Sequence, residues 1–330
     1  MSAKKVFITG GAGYVGSALV PKLLNKGYEV TVFDLFLYGN VFLDLKNHPN
    51  LKLVKSDIRN TKDINKNIKN CDTVIHLACI SNDPSFELNP DLGKSINYDA
   101  FKPLVDISKE NGVERFIYAS SSSVYGIKDE EDVTEELSLK PLTDYSKYKA
   151  MCEDILLKEQ EKGFHPLIIR PATVCGYARR LRLDLTVNIL TNHAVTNGLI
   201  KVFGGSQKRP NININDMTDL YVNCLVYPLN KINGKIYNVG FENHSIDEIA
   251  DIVKNTVKKK IDIIHENTDD LRSYHVSSKK IELELGFKPK KTINNAVESI
   301  CSAFKKNLIV NSMVNDKYYN IKTMQNLNLQ

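Results

Sequence analysis

Tyr145 and Lys149 stand four residues apart in the run Tyr145-Ser146-Lys147-Tyr148-Lys149. On a helix that spacing puts both side chains on one face, where they can address a single point. A free tyrosine has a pKa of about 10 and is a poor base at neutral pH, but a lysine ammonium beside it favours the phenolate. The pair can then move a proton to or from a hydroxyl group. Tyr and Lys at this spacing also occur on ordinary solvated helices, so the pair alone decides nothing. Weight comes from a second element, Ser120-Ser121-Ser122-Ser123-Val124-Tyr125-Gly126, directly after the apolar run Phe116-Ile117-Tyr118-Ala119. A hydroxyl at the carboxyl end of such a strand can hold the reacting oxygen and turn it toward Tyr145.

A cofactor site is written nearer the start. Thr9-Gly10-Gly11-Ala12-Gly13-Tyr14-Val15-Gly16 follows an apolar strand and opens a helix pattern, Ser17 to Asn25, that closes at Gly27. Glycines there allow a tight turn, let backbone N–H groups approach a pyrophosphate at the helix N-terminus, and permit close packing of helix on strand. Gly10, Gly13, Tyr14, Val15 and Gly16 are the candidate contacts. Asp34 ends the next strand, 18 residues beyond Gly16 (34 − 16). A carboxylate there accepts from the adenosine ribose hydroxyls and repels a 2′-phosphate, so NAD is expected rather than NADP. Asp57 and Ile58 after the third strand, and Leu77 and Ala78 after the fourth, complete the expected cofactor path. His76 reads as a satisfied core histidine.

The elements that must position these groups alternate. Apolar runs at Val6–Thr9, Val30–Phe33, Leu51–Val54, Thr73–Leu77, Arg115–Ala119 and Pro166–Ile169 are separated by amphipathic segments, the pattern of βαβ units. The expected fold class is α/β: a Rossmann-type doubly wound parallel sheet with a smaller C-terminal α/β substrate-binding lobe. Residues 1–170 read as the NAD-binding domain and 171–312 as the lobe, with a segment near 212–240 returning to the main sheet, and 313–330 as a loosely packed tail. The lobe opens on a basic segment, Arg179, Arg180 and Arg182, followed by a helix-like stretch from Asp184 to Val195. Ser245 is the expected N-cap of an amphipathic helix to Lys258.

Composition excludes several classes. The 330 residues are 42% hydrophobic and 25% charged, and 44 basic against 39 acidic residues leave a net charge of +5. That excess is small and dispersed, unlike the basic stripe of a nucleic-acid-binding protein. The six cysteines form no CxxC pair, so no metal site is expected. Met1 leads directly into an apolar strand without a signal-peptide pattern, and no apolar run reaches the roughly 18 residues of a membrane span. A cytoplasmic protein with no membrane partner is expected.

Taken together, TGxxGxxG at Thr9 to Gly16, Ser121 four residues before the Tyr125 of a VYG turn, and YxxxK at Tyr145 to Lys149 resemble the extended short-chain dehydrogenase/reductases. This is the nucleotide-sugar epimerase/dehydratase family, and the resemblance covers nearly the whole chain. It implies that Ser121 orients the substrate hydroxyl, that Lys149 also binds the nicotinamide ribose, and that the substrate is a nucleotide-diphosphate sugar. Arg209 to Asp216 resembles the family's RDYIHVxD segment and Arg272 to Ile281 its RYxxDxxKI segment. The resemblance therefore implies Arg209 and Arg272 on the substrate diphosphate, with Asn188, and Ser122, Ser123, Thr173 and Arg180 as further substrate contacts. Paired guanidinium groups suit a pyrophosphate. The family's dimer interface, a four-helix bundle, would fall on Ser95 to Lys109 and Tyr145 to Glu159.

Departures narrow the chemistry. The family's dehydratases carry Asp-Glu directly after the catalytic Ser/Thr, whereas this chain has Ser122 and Ser123, which cannot serve as the acid and base of a water elimination. The epimerase RYFN segment reads Arg170-Pro171-Ala172-Thr173. The stretch Arg170 to Asn188, together with the FGGSQKRPN turn (Phe203 to Asn211) and RSYHVSS (Arg272 to Ser278), is most similar to a subgroup found with bacterial heptose and capsule biosynthesis. That resemblance implies oxidation of GDP-manno-heptose at C4, with a tightly bound NAD reoxidised by 2-oxoglutarate. A 4-epimerase acting on a UDP- or GDP-sugar is the alternative. A non-catalytic NAD-sensing protein ranks below both, because such proteins commonly lose the Tyr/Lys pair.

Overall fold

The computed structural model describes residues 4–81, 83–128, 130, 132–268, 273 and 275–327. Its strands are β1 (Lys5–Thr9), β2 (Glu29–Asp34), β3 (Leu51–Lys55), β4 (Thr73–His76), β5 (Arg115–Ala119), β6 (His165–Pro171), β7 (Thr173–Cys175), β8 (Leu199–Phe203), β9 (Lys208–Asn213), β10 (Lys235–Val239), β11 (Glu242–Ser245) and β12 (Asp262–Glu266). Seven of them form one sheet in the order β10-β6-β5-β4-β1-β2-β3, every neighbouring pair parallel. The sequence order reverses beside β1, between β2 and β4. In open α/β sheets that switch point is where a crevice opens above the carboxyl ends of the strands.

The central strands are apolar on both faces because both faces are covered. On one side Val6, Ile8, Ile117 and Ile169 pack with Leu19 and Leu23 of the helix Tyr14–Asn25 and Leu220 of the helix Ile214–Cys224. On the other, Phe7, Phe116 and Tyr118 pack with Phe101 of the helix Phe101–Glu110 and Leu156 of the helix Asp144–Lys158. The remaining strands form a sheet β11-β9-β7 and a pair β12-β8, set around a third apolar cluster that includes Val187, Ile249 and Val297. Lys235–Val239, read from sequence as a strand, pairs with β6 in the main sheet. Ser245 caps the helix Ile246–Val257, its hydroxyl accepting from the Glu248 N–H while the Glu248 carboxylate accepts from the Ser245 N–H.

Two expectations change. The helix expected from Asp184 runs over Thr186–Asn197, since Asp184 is engaged in an ion pair with Arg182 and accepts the Asn320 N–H. The described part of the supposed tail is not loosely packed. Asn320–Leu327 is a helix, and Asn320 and Thr323 are buried. Polar composition marked this segment as surface, but the Asn320 side chain accepts from the buried Arg180 and donates to Ser81 across the fold. Among the described residues no helix is long and apolar enough to cross a membrane.

Candidate active site

A continuous cleft runs from the glycine turn, along the carboxyl ends of β1, β2, β4 and β5, to the start of the helix Asp144–Lys158. At one end, Gly10 has φ +70°, a conformation that favours glycine, and a Cβ there would lie 2.5 Å from the Ala78 nitrogen. A Cβ on Gly16 would run into the backbone of Gly11. Gly13 stands as N-cap of the helix Tyr14–Asn25 with no side-chain cap, which leaves the first N–H groups of the helix available to an anion. Asp34 binds the turn from below, accepting the Ala12 N–H at 2.9 Å and the Phe36 N–H at 2.7 Å. Burial pushes its carboxyl up from the ordinary value, against the pull of those two N–H groups and of Arg180. An uncapped helix terminus, a glycine cradle that a Cβ would fill and a carboxylate at the end of β2 fit a dinucleotide.

At the other end, Thr143 caps the helix Asp144–Lys158 through a capping box with Ser146, and its hydroxyl donates to Asp83 at 2.6 Å. This fixes the first turn, where Tyr145 lies. Lys149, one turn on, is buried and donates from Nζ to the Ala119 carbonyl at 2.6 Å, 5.9 Å from the Tyr145 ring centroid. Ser121 caps the short turn Ser122–Tyr125 and sits 2.8 Å from Ser123 Oγ. Burial pushes the Tyr145 phenol up, Cys79 and Asp83 act in the same sense, and Arg182 and a hydrogen bond with Ser121 act against them. Behind the serines Glu153 holds Arg170 and Ser120, and Arg170 holds Tyr125.

The structure thus gathers Tyr145, Lys149, Ser121, Ser122, Ser123, Thr173, Arg180, Asp34, Ile58, Leu77, Ala78, Tyr14, Val15 and the three motif glycines Gly10, Gly13 and Gly16 around one cleft. Others lie elsewhere. Asp57 does not line the cleft, because Arg59, two residues on, engages both of its carboxylate oxygens. Asn188 is fully buried and its amide is spent on the Gly176 N–H, the Arg182 carbonyl and the Tyr14 hydroxyl, so it supports the loop above the cleft. Arg209 sits on β9 opposite His244 of β11, and its guanidinium donates to the Lys208 carbonyl outside the cleft lining. Arg272 lies outside the described residues. His76 is a core residue as read, with Nδ1 2.7 Å from Thr9 Oγ1, its pKa lowered to about 3 by burial and by Lys149.

Arg182 was not assigned a role from sequence. It lines the cleft, pairs with Asp184 at 2.9 Å and donates to Ser81 at 3.2 Å, with one terminal nitrogen lacking a partner among the described residues. Asp184, two residues later, was the legible signal, an internal counter-ion that allows the arginine to be buried. Asn320 and Met324 of the C-terminal helix also line the cleft, and nothing local in the sequence marked them.

The family model for the NAD dependent epimerase/dehydratase family matches residues 6–240. A UDP-glucose 4-epimerase of Lactobacillus helveticus is 26% identical over 91% of this chain and 96% of its own length. An uncharacterized protein of Sinorhizobium fredii, y4nG, is 35% identical, but over 54% of this chain and 43% of its own length. The crystal structure of UDP-glucuronic acid 4-epimerase from Bacillus cereus, solved with UDP-glucuronic acid and NAD, is similar with a TM-score of 0.82 and 26% identity, covering 92% of this chain and 99% of that one. A family match over most of the chain, on a parallel sheet whose switch point carries the dinucleotide cradle, makes this protein a member of the NAD-dependent epimerase/dehydratase family of nucleotide-sugar enzymes.

Proposed function

We propose that the chain oxidises a nucleotide-diphosphate sugar at C4, with GDP-D-glycero-α-D-manno-heptose as substrate and the 4-keto sugar as product. The observation that carries the C4 chemistry is the convergence of Tyr145, Lys149 and Ser121 at the end of β5, in the cleft that begins at the glycine turn. Ser121 orients the C4 hydroxyl and the Tyr145 phenolate takes its proton, while Lys149, pinned by the Ala119 carbonyl, supplies the positive charge that favours the phenolate. NAD held at the glycine turn and beside Asp34 would supply the acceptor for the C4 hydride. Ser122 and Ser123 carry no carboxylate, so elimination of water is not part of the cycle.

The choice of GDP-heptose, and of 2-oxoglutarate as final oxidant, is supported by the resemblance of Arg170 to Asn188 to the heptose subgroup. A second reading, 4-epimerisation, is supported by the 4-epimerases that align along nearly the whole chain. A homodimer joined through the helices Phe101–Glu110 and Asp144–Lys158, working in the cytoplasm, belongs to the same proposal; Met151, 40% exposed on the second helix, suits such a contact.

The test is the mass of the product formed from GDP-manno-heptose with 2-oxoglutarate present. A product two hydrogens lighter, or its hydrate, supports oxidation without return. An isobaric product inverted at C4 means epimerase. Loss of one water would overturn the reading of Ser122 and Ser123.

A further inference from the structure

The loop 176–185 lies across the N-terminus of the helix Tyr14–Asn25. The Tyr14 hydroxyl donates to the Gly176 carbonyl at 2.5 Å, and the Arg180 backbone N–H donates to Ser17 Oγ at 3.0 Å. That uncapped terminus is where a dinucleotide's diphosphate is received. Arg180, expected from sequence on the substrate, is held on this cofactor half from two sides. Its guanidinium carbon is 3.6 Å from the ring centroid of Tyr38, just beyond β2, and a terminal nitrogen donates to Asn320 Oδ1. Asn320 is tied in turn, its backbone N–H donating to Asp184 at 3.0 Å and its amide to Ser81 Oγ at 2.9 Å. Arg180 is 4% exposed, lines the cleft, and has a buried Nε without a partner among the described residues. A buried cation with an unmatched donor is costly until an anion meets it. Burial lowers the Arg180 pKa to about 10, which leaves it charged at neutral pH.

We propose that Arg180 and Asn320 form a latch over the cofactor diphosphate: Arg180 binds the diphosphate from the side opposite the glycine turn, Asn320 holds Arg180 in place, and NAD leaves only when the C-terminal helix undocks. Tyr38 and Ser81 complete the latch from the loops after β2 and β4. The C-terminal segment, remote in sequence from every cofactor motif, thereby controls cofactor exchange.

The experiment uses the full chain and reads cofactor binding, which does not depend on the identity of the sugar. In the Arg180→Gln variant, affinity for ADP falls by about tenfold or more, the scale of one hydrogen bond to a charged group, while affinity for adenosine is held. Equal losses for ADP and adenosine would remove Arg180 from the diphosphate. In Asn320→Ala, release of radiolabelled NAD accelerates several-fold; release at the parent rate would overturn the latch. Should either variant misfold, hydrogen exchange on the parent protein decides. NAD loading must slow exchange in residues 316–327, and unchanged exchange there contradicts the proposal.

Discussion

Arg170 and Glu153 face each other at 2.6 Å with side chains 3% and 2% exposed. The pair joins β6 to the helix that carries Tyr145 and Lys149. Burial works against the arginine's charge, but Glu153 more than offsets it and holds the Arg170 pKa raised. Glu153 also holds Ser120, the residue before Ser121. Removing Glu153 leaves Arg170 buried without its counter-charge, so Glu153→Leu should cost about 3–5 kcal/mol of stability, read from denaturant unfolding. A loss below about 1 kcal/mol, the range of an exposed pair, would show that the cleft is not braced from behind by this ion pair.

On the proposed mechanism, Tyr145→Phe removes the proton acceptor and keeps the ring. Turnover should fall by about a hundredfold or more, with NAD content and melting temperature close to the parent's. A variant that keeps its turnover would assign the proton transfer to another group.

The pH profile follows from what surrounds that phenol. Burial, Cys79 and Asp83 raise its pKa, and Arg182 and Ser121 lower it, with the Lys149 ammonium 5.9 Å from its ring. In the proposed mechanism the phenolate is the active form, so kcat/KM should fall as pH drops through the tyrosine's apparent pKa. Arg182→Gln takes away a charge that favours the phenolate and should move that limb to higher pH. Arg182→Lys should move it part of the way back. A limb that stays in place in Arg182→Gln would mean that the arginine does not act on Tyr145.

The cofactor half of the site was legible in sequence because its demands are local. A glycine at φ +70°, an open helix terminus and an acid at the next strand end lie within Thr9 to Asp34. The Tyr145/Lys149 pair was legible because one helical turn sets its geometry. The far wall was not. Arg180 meets Asn320 across 140 residues, a contact that no periodicity encodes, and the composition around Asn320 suggested a loose tail. The packing of Asn188 was hidden for a related reason. A resemblance can mark the residue, but the partners that use up its amide, Gly176, Tyr14 and Arg182, are set by the path of the loop.

Asn188 therefore yields a prediction of its own. Asn188→Leu leaves the Gly176 N–H and the Arg182 carbonyl unmatched and should cost about 1–3 kcal/mol for each buried group left unsatisfied, seen as a lower melting temperature. A stable variant with only a raised KM for the nucleotide sugar would return Asn188 to the substrate.

Asp34→Ala removes the carboxylate that holds both the Ala12 and Phe36 N–H groups and lines the cofactor end of the cleft. Binding of NAD should weaken by about tenfold or more and the preference for NAD over NADP should narrow, as titrated by fluorescence. An unaltered preference would place the discrimination elsewhere.

The most direct test of the C4 chemistry uses a GDP-heptose deuterated at C4, with the reaction followed by mass spectrometry. The mechanism predicts a slower reaction than with the unlabelled sugar, and deuterium either lost from the sugar with oxidation or returned to C4 with inversion. A sugar turned over at an undiminished rate, with its C4 deuterium and configuration untouched, would contradict oxidation at C4.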